Sequence, residues 1–366
     1  MGFNCGIVGL PNVGKSTLFN ALTATAQAQA ANYPFCTIEP NVGIVAVPDA
    51  RLERIAALAK SPKVIPTQLE FVDIAGLVRG ASKGEGLGNR FLANIRQVDA
   101  ICHVLRCFES GDVTHVAGDI DAVRDAETVE TELMLADLES LERRQEAAIK
   151  RARGGDKEAK AALKAIEPAL AALRDGRAAR TLAVSDTLRP ALDALQLLTA
   201  KPVLYVCNVD EDAAASGNAD SARIAELAAR EGAEAVVISA AIEAEVAALD
   251  DAGERADYLA SLGLEESGLD KVIRAGYALL DLVTFFTAGP KEARAWTVRR
   301  GTPAPEAAGQ VHTDMQRGFI RAETIAFDDF VACGGEQGAK DAGRMRQEGK
   351  DYVVQDGDVM LFRFNV

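Results

Sequence analysis

The chain of 366 residues lacks positive charge: 40 Lys and Arg stand against 54 Asp and Glu, a formal net charge of −14. That balance excludes a protein that wraps nucleic acid with its whole surface, though not one with a local basic face. There is no apolar run long enough to span a bilayer and no charged-then-apolar leader, so neither a membrane partner nor export is expected. The six cysteines (Cys5, Cys36, Cys102, Cys107, Cys207 and Cys333) show no paired metal spacing, and several sit in apolar runs. Reduced, buried thiols in a cytoplasmic protein are the expectation. Only three histidines occur, His103, His115 and His312.

What is present is more specific. Residues 9–16 read Gly9-Leu-Pro-Asn-Val-Gly14-Lys15-Ser16, a complete G-x-x-x-x-G-K-[ST] phosphate loop. An apolar run, Cys5 to Val8, precedes it and a helix-forming segment follows. Glycines let such a loop turn its N–H groups around the β-phosphate at the positive end of a helix. Lys15 then reaches the β- and γ-phosphates, and the Ser16 hydroxyl binds Mg²⁺. A second element, Asp73-Ile-Ala-Gly76, ends another apolar run. It matches the D-x-x-G of GTPase-type proteins, with Asp73 holding Mg²⁺ and the Gly76 N–H sensing the γ-phosphate. The following segment, Leu77–Asn89, is glycine-rich and reads as a switch. Thr37, in a loop before a strand, suits a further Mg²⁺ ligand.

The element that reads the base departs from the GTPase pattern Asn-Lys-x-Asp. Here the chain has Asn208-Val209-Asp210-Glu211. Asn208 is in place, Val209 replaces the lysine, and Glu211 stands where guanine's two donors need an aspartate. The longer side chain displaces the carboxylate and favours adenine. A frame with Asp210 as the reader is one residue short. Ser239-Ala240-Ala241, after the last strand, is expected to edge the base with backbone N–H groups. Many GTPases place a water-orienting glutamine after D-x-x-G; Leu77 takes that position here, so intrinsic hydrolysis is expected to be slow. His115 is a candidate for the water-positioning group. A monovalent cation such as K⁺, held by Asn12, is the alternative.

Short apolar runs alternate with helical patterns through the first part: Gly6–Gly9, Val42–Val47, Thr67–Asp73, Ala100–Arg106, Val203–Asn208 and Ala235–Ser239. This predicts a mostly parallel sheet between helices, with ligands at the carboxyl ends of the strands. From Asp121 to Arg153 the chain has no Pro or Gly, and Leu133, Met134, Leu138, Leu141 and Ile149 recur at near-helical spacing. Gly154-Gly155 interrupts, and Lys157–Leu173 resumes, which predicts a helical hairpin inserted in the nucleotide domain. Arg143–Lys164, at its tip, holds eight basic residues against three acidic ones, which suits either a solvated face or an anionic partner such as RNA. From Asp281 onward, β-like runs (Ala295–Val298, Gln310–His312, Gly318–Ala322) and a terminal hairpin turning at Asp356-Gly357-Asp358 predict a small α+β domain. That domain is near neutral, with 11 basic and 13 acidic residues. Arg294, Arg299, Arg300, Lys340, Arg344, Arg346 and Lys350 are candidates for a basic face.

The combination of Gly9–Thr17, Phe71–Leu77, the Asn208…Glu211 variant, Arg294-Ala-Trp-Thr297, Gly318–Ile325 and Gly335–Lys340 closely resembles the YchF subfamily of Obg-like P-loop proteins, over essentially the whole chain. The resemblance implies an α/β P-loop fold with an inserted coiled-coil hairpin and a C-terminal β-grasp TGS domain. On that basis residues 1–280 form the nucleotide domain, interrupted by the insert at 120–200, and residues 281–366 the TGS domain. It also implies Mg²⁺-dependent hydrolysis of ATP in preference to GTP and binding to the ribosome, rRNA and ribosomal proteins, through the insert and the TGS domain. A monomer that modulates translation or a stress response is expected. Phosphate contacts are carried over to Asn12, Val13, Gly14, Lys15, Ser16 and Thr17, Mg²⁺ to Ser16 and Thr37, and the base to Asn208 with Val209, Glu211, Ser239 and Ala240. A true Obg-type GTPase, or a nucleotide-gated binding module with incidental hydrolysis, are the competing readings.

Overall fold

The computed structural model describes residues 3–30, 41–74, 87–109, 120–249 and 251–365. Its strands are β1 (Asn4–Val8), β2 (Val42–Ala46), β3 (Lys63–Ile65), β4 (Gln68–Asp73), β5 (Ala100–Arg106), β6 (Val203–Asn208), β7 (Glu234–Ile238), β8 (Leu282–Ala288), β9 (Glu292–Arg299), β10 (Phe319–Ile325), β11 (Arg346–Glu348) and β12 (Val359–Phe364). The six runs expected in the first part all form strands, within two residues of their expected bounds. They build one sheet in the order β2-β4-β1-β5-β6-β7, parallel from β4 to β7. β5 and β6 are buried along their whole length, as central strands covered on both faces must be. The chain adds strands to one side of β1 and then, from β5 on, to the other. That reversal places the ends of β1 and β5 at a topological switch point, where open α/β sheets bind ligands.

The insert forms as expected: a helix over Ala122–Arg153, a turn at Gly154-Gly155 and a helix over Lys157–Arg174. Aspartates start both helices. Asp121 accepts from the Arg124 N–H, and Asp156 from the N–H groups of Glu158 and Ala159, contacts typical of N-caps. Leu141, Ala148, Ile166, Leu170 and Leu173 form its core with Leu192, Leu195 and Leu197. Ile149, expected on the apolar face, is exposed. Two helical turns from Leu141 end at position 148, so Ala148 takes the core site. Asp137 is buried and accepts from the N–H groups of Leu198 and Thr199 at 2.9 and 2.8 Å and from the Thr199 hydroxyl at 2.8 Å. It thereby anchors the hairpin at the point where the chain re-enters the sheet.

The described residues fall into two compact units. One holds 3–28, 41–44 and the described part of 70–279; the other holds 29–30, 45–69 and 280–365. Residues 45–69, which the sequence places within 1–280, pack with the second unit for a physical reason. The helix Ala50–Ala59 buries Leu52, Ile55 and Ala56 against Phe286, Ala295, Ile325, Phe330 and Val359, and β3 pairs with β9. The second sheet runs β11-β10-β12-β8-β9-β3. Two expectations are corrected here. Residues 310–311 end a helix, Ala304–Val311, because Ala304, Ala307 and Ala308 share one buried stripe; His312 follows as its cap. The terminal residues turn at Gly357 (φ 92°) but make no hairpin. β12 pairs with β10 and β8 instead, and the Asp358 carboxylate holds the turn through the Gln355 N–H and the Tyr352 hydroxyl.

Among the described residues, no helix is long and apolar enough to cross a membrane. Cys5, Cys102, Cys107 and Cys207 are buried free thiols, and Cys333 is half-buried.

Candidate nucleotide-binding site

The phosphate loop runs from the end of β1 into the helix Lys15–Ala30, whose first turn carries no acidic residue to repel an anion. Two glycines are required by contact. A Cβ at Gly9 would strike the Val104 carbonyl of β5, and one at Gly14 (φ 97°) would strike the Asn208 side chain. Asn12, at the loop's apex, holds φ 63°. Asn12, Ser16 and Thr17 are exposed, while Val13 is buried. Lys15 is buried and donates from Nζ to the Leu10 carbonyl at 2.6 Å. Burial lowers its pKa to about 8, against the pull of Asp73.

Asp73 ends β4 directly opposite Ile7 of β1. Burial raises its carboxyl pKa and Lys15 draws it back down. The two charges therefore share the end of the sheet below the loop. Thr37, Gly76, Leu77 and His115 lie outside the described residues.

Asn208, 5% exposed at the end of β6, joins the loop to the base region. Its Nδ2 donates to the Val13 carbonyl at 3.0 Å, and its Oδ1 accepts from the Ala240 N–H at 2.9 Å. The Ala240 N–H is therefore turned onto Asn208, and Ser239 is buried. Val209 is also buried and donates its N–H to the Ile238 carbonyl. Its side chain serves the core, which accounts for a valine where GTPases carry a lysine. Asp210, the shifted-frame candidate, accepts from the Glu109 N–H at 3.3 Å. Glu211 is exposed and opens a short 3-10 turn.

These residues surround a cavity of about 470 Å³ lined by Gly14, Thr17, Phe108, Asn208–Asp212 and Ser239–Ala241. That volume falls in the range of small-ligand sites. The phosphate loop and the 208 and 239 segments thus meet at one place.

Phe108 was missed by sequence reasoning. Its half-buried ring lines the cavity, and the Arg106 guanidinium stacks on it, 4.6 Å from the ring centroid. Its position just past β5, at a strand's carboxyl end, was the available signal.

Residues 4–137 match the family described as "50S ribosome-binding GTPase". Residues 282–365 match the YchF-GTPase_C family, described as "Protein of unknown function". The protein named ribosome-binding ATPase YchF in Haemophilus influenzae is 58% identical over 366 residues, covering 100% of both chains. The chain belongs to the YchF family. YchF proteins of the same name from Escherichia coli O157:H7 and Bacillus subtilis are 56% and 54% identical, again over 100% of both chains. The solved YchF GTPase of Schizosaccharomyces pombe is 36% identical and superposes with a TM-score of 0.89, covering 99% of this chain and 98% of that one. The chain is thus a nucleotide-binding P-loop protein of the YchF family.

A divalent ion fits the donors of this YchF-family site. Ser16 supplies an exposed hydroxyl and Asp73 one carboxylate. No group of three or more His, Cys, Asp or Glu residues could hold a metal by itself among the described residues. Few protein ligands, completed by phosphate oxygens and water, is the pattern of Mg²⁺ in nucleotide sites.

Proposed function

We propose that the protein hydrolyses ATP, with Mg²⁺ held by Ser16, Thr37 and Asp73, and that it reports its nucleotide state to the ribosome. The base preference rests on one observation: the cavity beside Asn208 is walled by Asp210, Glu211 and Asp212, and its outer carboxylate sits on a glutamate. Acceptors without a fixed pair for guanine's N1–H and N2 amino groups suit adenine's single exocyclic amine. When bound, Mg²⁺ would supply charge neutralisation at the phosphates. Lys15 and the loop N–H groups hold the phosphates, and Gly76 links the γ-phosphate to the segment after it. Leu77 cannot orient water, so turnover is slow and depends on His115 or on K⁺ at Asn12. Equilibrium binding of labelled ATP and GTP with Mg²⁺ in potassium buffer tests this. ATP is expected to bind at least about tenfold tighter, a difference near 1.4 kcal/mol. Equal or tighter GTP binding would move the assignment to the GTPase reading.

Ribosome contact draws support from the names of the relatives and from the tip of the insert. Lys150, Arg153, Lys157, Lys160 and Lys164 are all exposed there, on a helical arm suited to reach rRNA. Of the candidates in the C-terminal domain, Arg300 and Arg344 are each paired with an aspartate, and Arg346 with Glu348 and Asp358, so that face contributes less charge. We expect cosedimentation with ribosomes that falls steeply with added salt. Replacing Lys150, Arg153 and Lys157 with glutamate should abolish it, and retention by that variant would remove the arm from the interface. This reading describes a cytoplasmic monomer that modulates translation or a stress response.

A further inference from the structure

We infer that Asn218, outside every nucleotide motif, is the positioning residue that holds Phe108 against the base. This rests on the reading of the cavity beside Asn208 as the base pocket. Asn218 is the N-cap of the helix Ala219–Glu231, and its Oδ1 accepts from the Ser221 N–H at 3.0 Å. The Ser221 hydroxyl returns the contact to the Asn218 N–H at 2.8 Å, closing a capping box. The cap uses only the acceptor half of the amide. The donor half, Nδ2, points away from the helix and donates to the Cys107 carbonyl at 2.6 Å, across 111 residues of sequence.

That carbonyl belongs to the peptide that carries Phe108. The Cys107 N–H donates to the Asn208 carbonyl at 2.8 Å. The Phe108 carbonyl accepts from Arg106 Nε at 3.3 Å, and the Glu109 N–H donates to Asp210. Cys107, the residue that precedes Phe108, is thus held at both its N–H and its C=O, by the Asn208 carbonyl on one side and the Asn218 amide on the other. Asn208 itself holds the phosphate loop, so the grip sets Phe108 in register with the triphosphate. Aspartate and serine cap helices about as well as asparagine, but neither combines the cap's acceptor with an amide N–H for Cys107. The choice of asparagine is explained by the second contact, not by the cap.

Asn218→Asp separates the two roles. A carboxylate preserves the cap and suits the helix N-terminus, while it removes the donor and sets an acceptor against the Cys107 carbonyl. In the full-length protein we expect the melting temperature to stay within about 2 °C. ATP and ADP should both bind about fivefold more weakly, and tripolyphosphate, which has no base, should bind as before. Phe108→Ala should weaken ATP by a similar or larger factor, and adding Asn218→Asp to it should cost little more, because the tether acts through the ring. Asn218→Ser, which also caps but cannot donate an amide N–H, repeats the test should the aspartate variant fold poorly. Unchanged ATP affinity in both Asn218 variants, alongside weakened affinity in Phe108→Ala, would overturn the tether and leave the base pocket standing. Full additivity in the double variant would also overturn it. Unchanged affinity in Phe108→Ala would overturn the base pocket and the tether together.

Discussion

Replacing Lys15 with alanine is expected to reduce nucleotide hydrolysis by at least about 100-fold, the loss typical of removing one preorganised transition-state donor. The fold should survive, because among the described residues the ammonium's hydrogen bond is to the Leu10 carbonyl of its own loop. The same residue predicts a pH dependence. In the nucleotide-free protein burial brings the Lys15 pKa down to about 8, and phosphate binding requires the charged form. Below that pH the ammonium is present. Above it the charged fraction falls, so ATP affinity should weaken by up to about tenfold per pH unit. Lys15→Arg, which stays charged throughout, should flatten the profile. ATP affinity that holds constant between about pH 7 and pH 9.5 would refute this account of Lys15.

Arg180→Met is expected to destabilise the protein by about 2–4 kcal/mol, the cost of leaving partly buried carboxylates without their cation. Arg180, whose side chain is 9% exposed, pairs with Glu130 of the first insert helix and with Glu231, each at 3.0 Å. Glu231 also accepts from the Tyr205 hydroxyl of β6 at 2.9 Å. Burial works against the Arg180 charge, and Glu130 and Glu231 more than restore it, so its pKa lies above the ordinary value. The network joins the insert, the connection that follows it and the sheet. Behind it lies His103, buried against the Tyr205 ring with centroids 5.7 Å apart. Burial, then Arg180 and Lys15, push its pKa down to about 3, so it stays neutral at physiological pH. The check is the unfolding midpoint of Arg180→Met, alone and combined with Glu130→Gln and Glu231→Gln. The combined variant should recover much of the loss, since it no longer buries unpaired charge. A single variant within about 1 kcal/mol of the parent would show that the network contributes little.

The legible and illegible parts of this molecule differ in range. The phosphate loop could be read directly because its chemistry is backbone geometry over eight consecutive residues, and Gly9 and Gly14 meet the contacts that exclude any Cβ. The strands of the first sheet were legible because β5 and β6 are buried on both faces and therefore apolar throughout. The two insert helices were legible from apolar periodicity and from the Gly154-Gly155 break between them. Reading failed where a short segment's own pattern was weak. Gln310–His312 alternates like a strand, yet the alanines before it form a helical stripe. Tyr352–Gln355 looks like half of a hairpin, yet β12 finds better partners in β10 and β8.

Within the site, the motif around Asn208 could be located from sequence but not apportioned. That Asn208 would spend one amide on Val13 and Ala240, that Val209 would turn into the core, and that Asp210 would hold Glu109 all depend on which neighbours the sheet register supplies. By itself the sequence determined the phosphate loop, the strands of the first sheet, the insert helices and the family. Local backbone conformation and hydrophobic period are properties of a few adjacent residues. Only the tertiary structure decided that residues 45–69 join the second unit, that Arg180 ties Glu130 to Glu231, and that Asn218 holds the Cys107 carbonyl beside Phe108. Those contacts join residues about 50 to more than 200 positions apart. Their partners are chosen by strand register and helix packing, which no local pattern records.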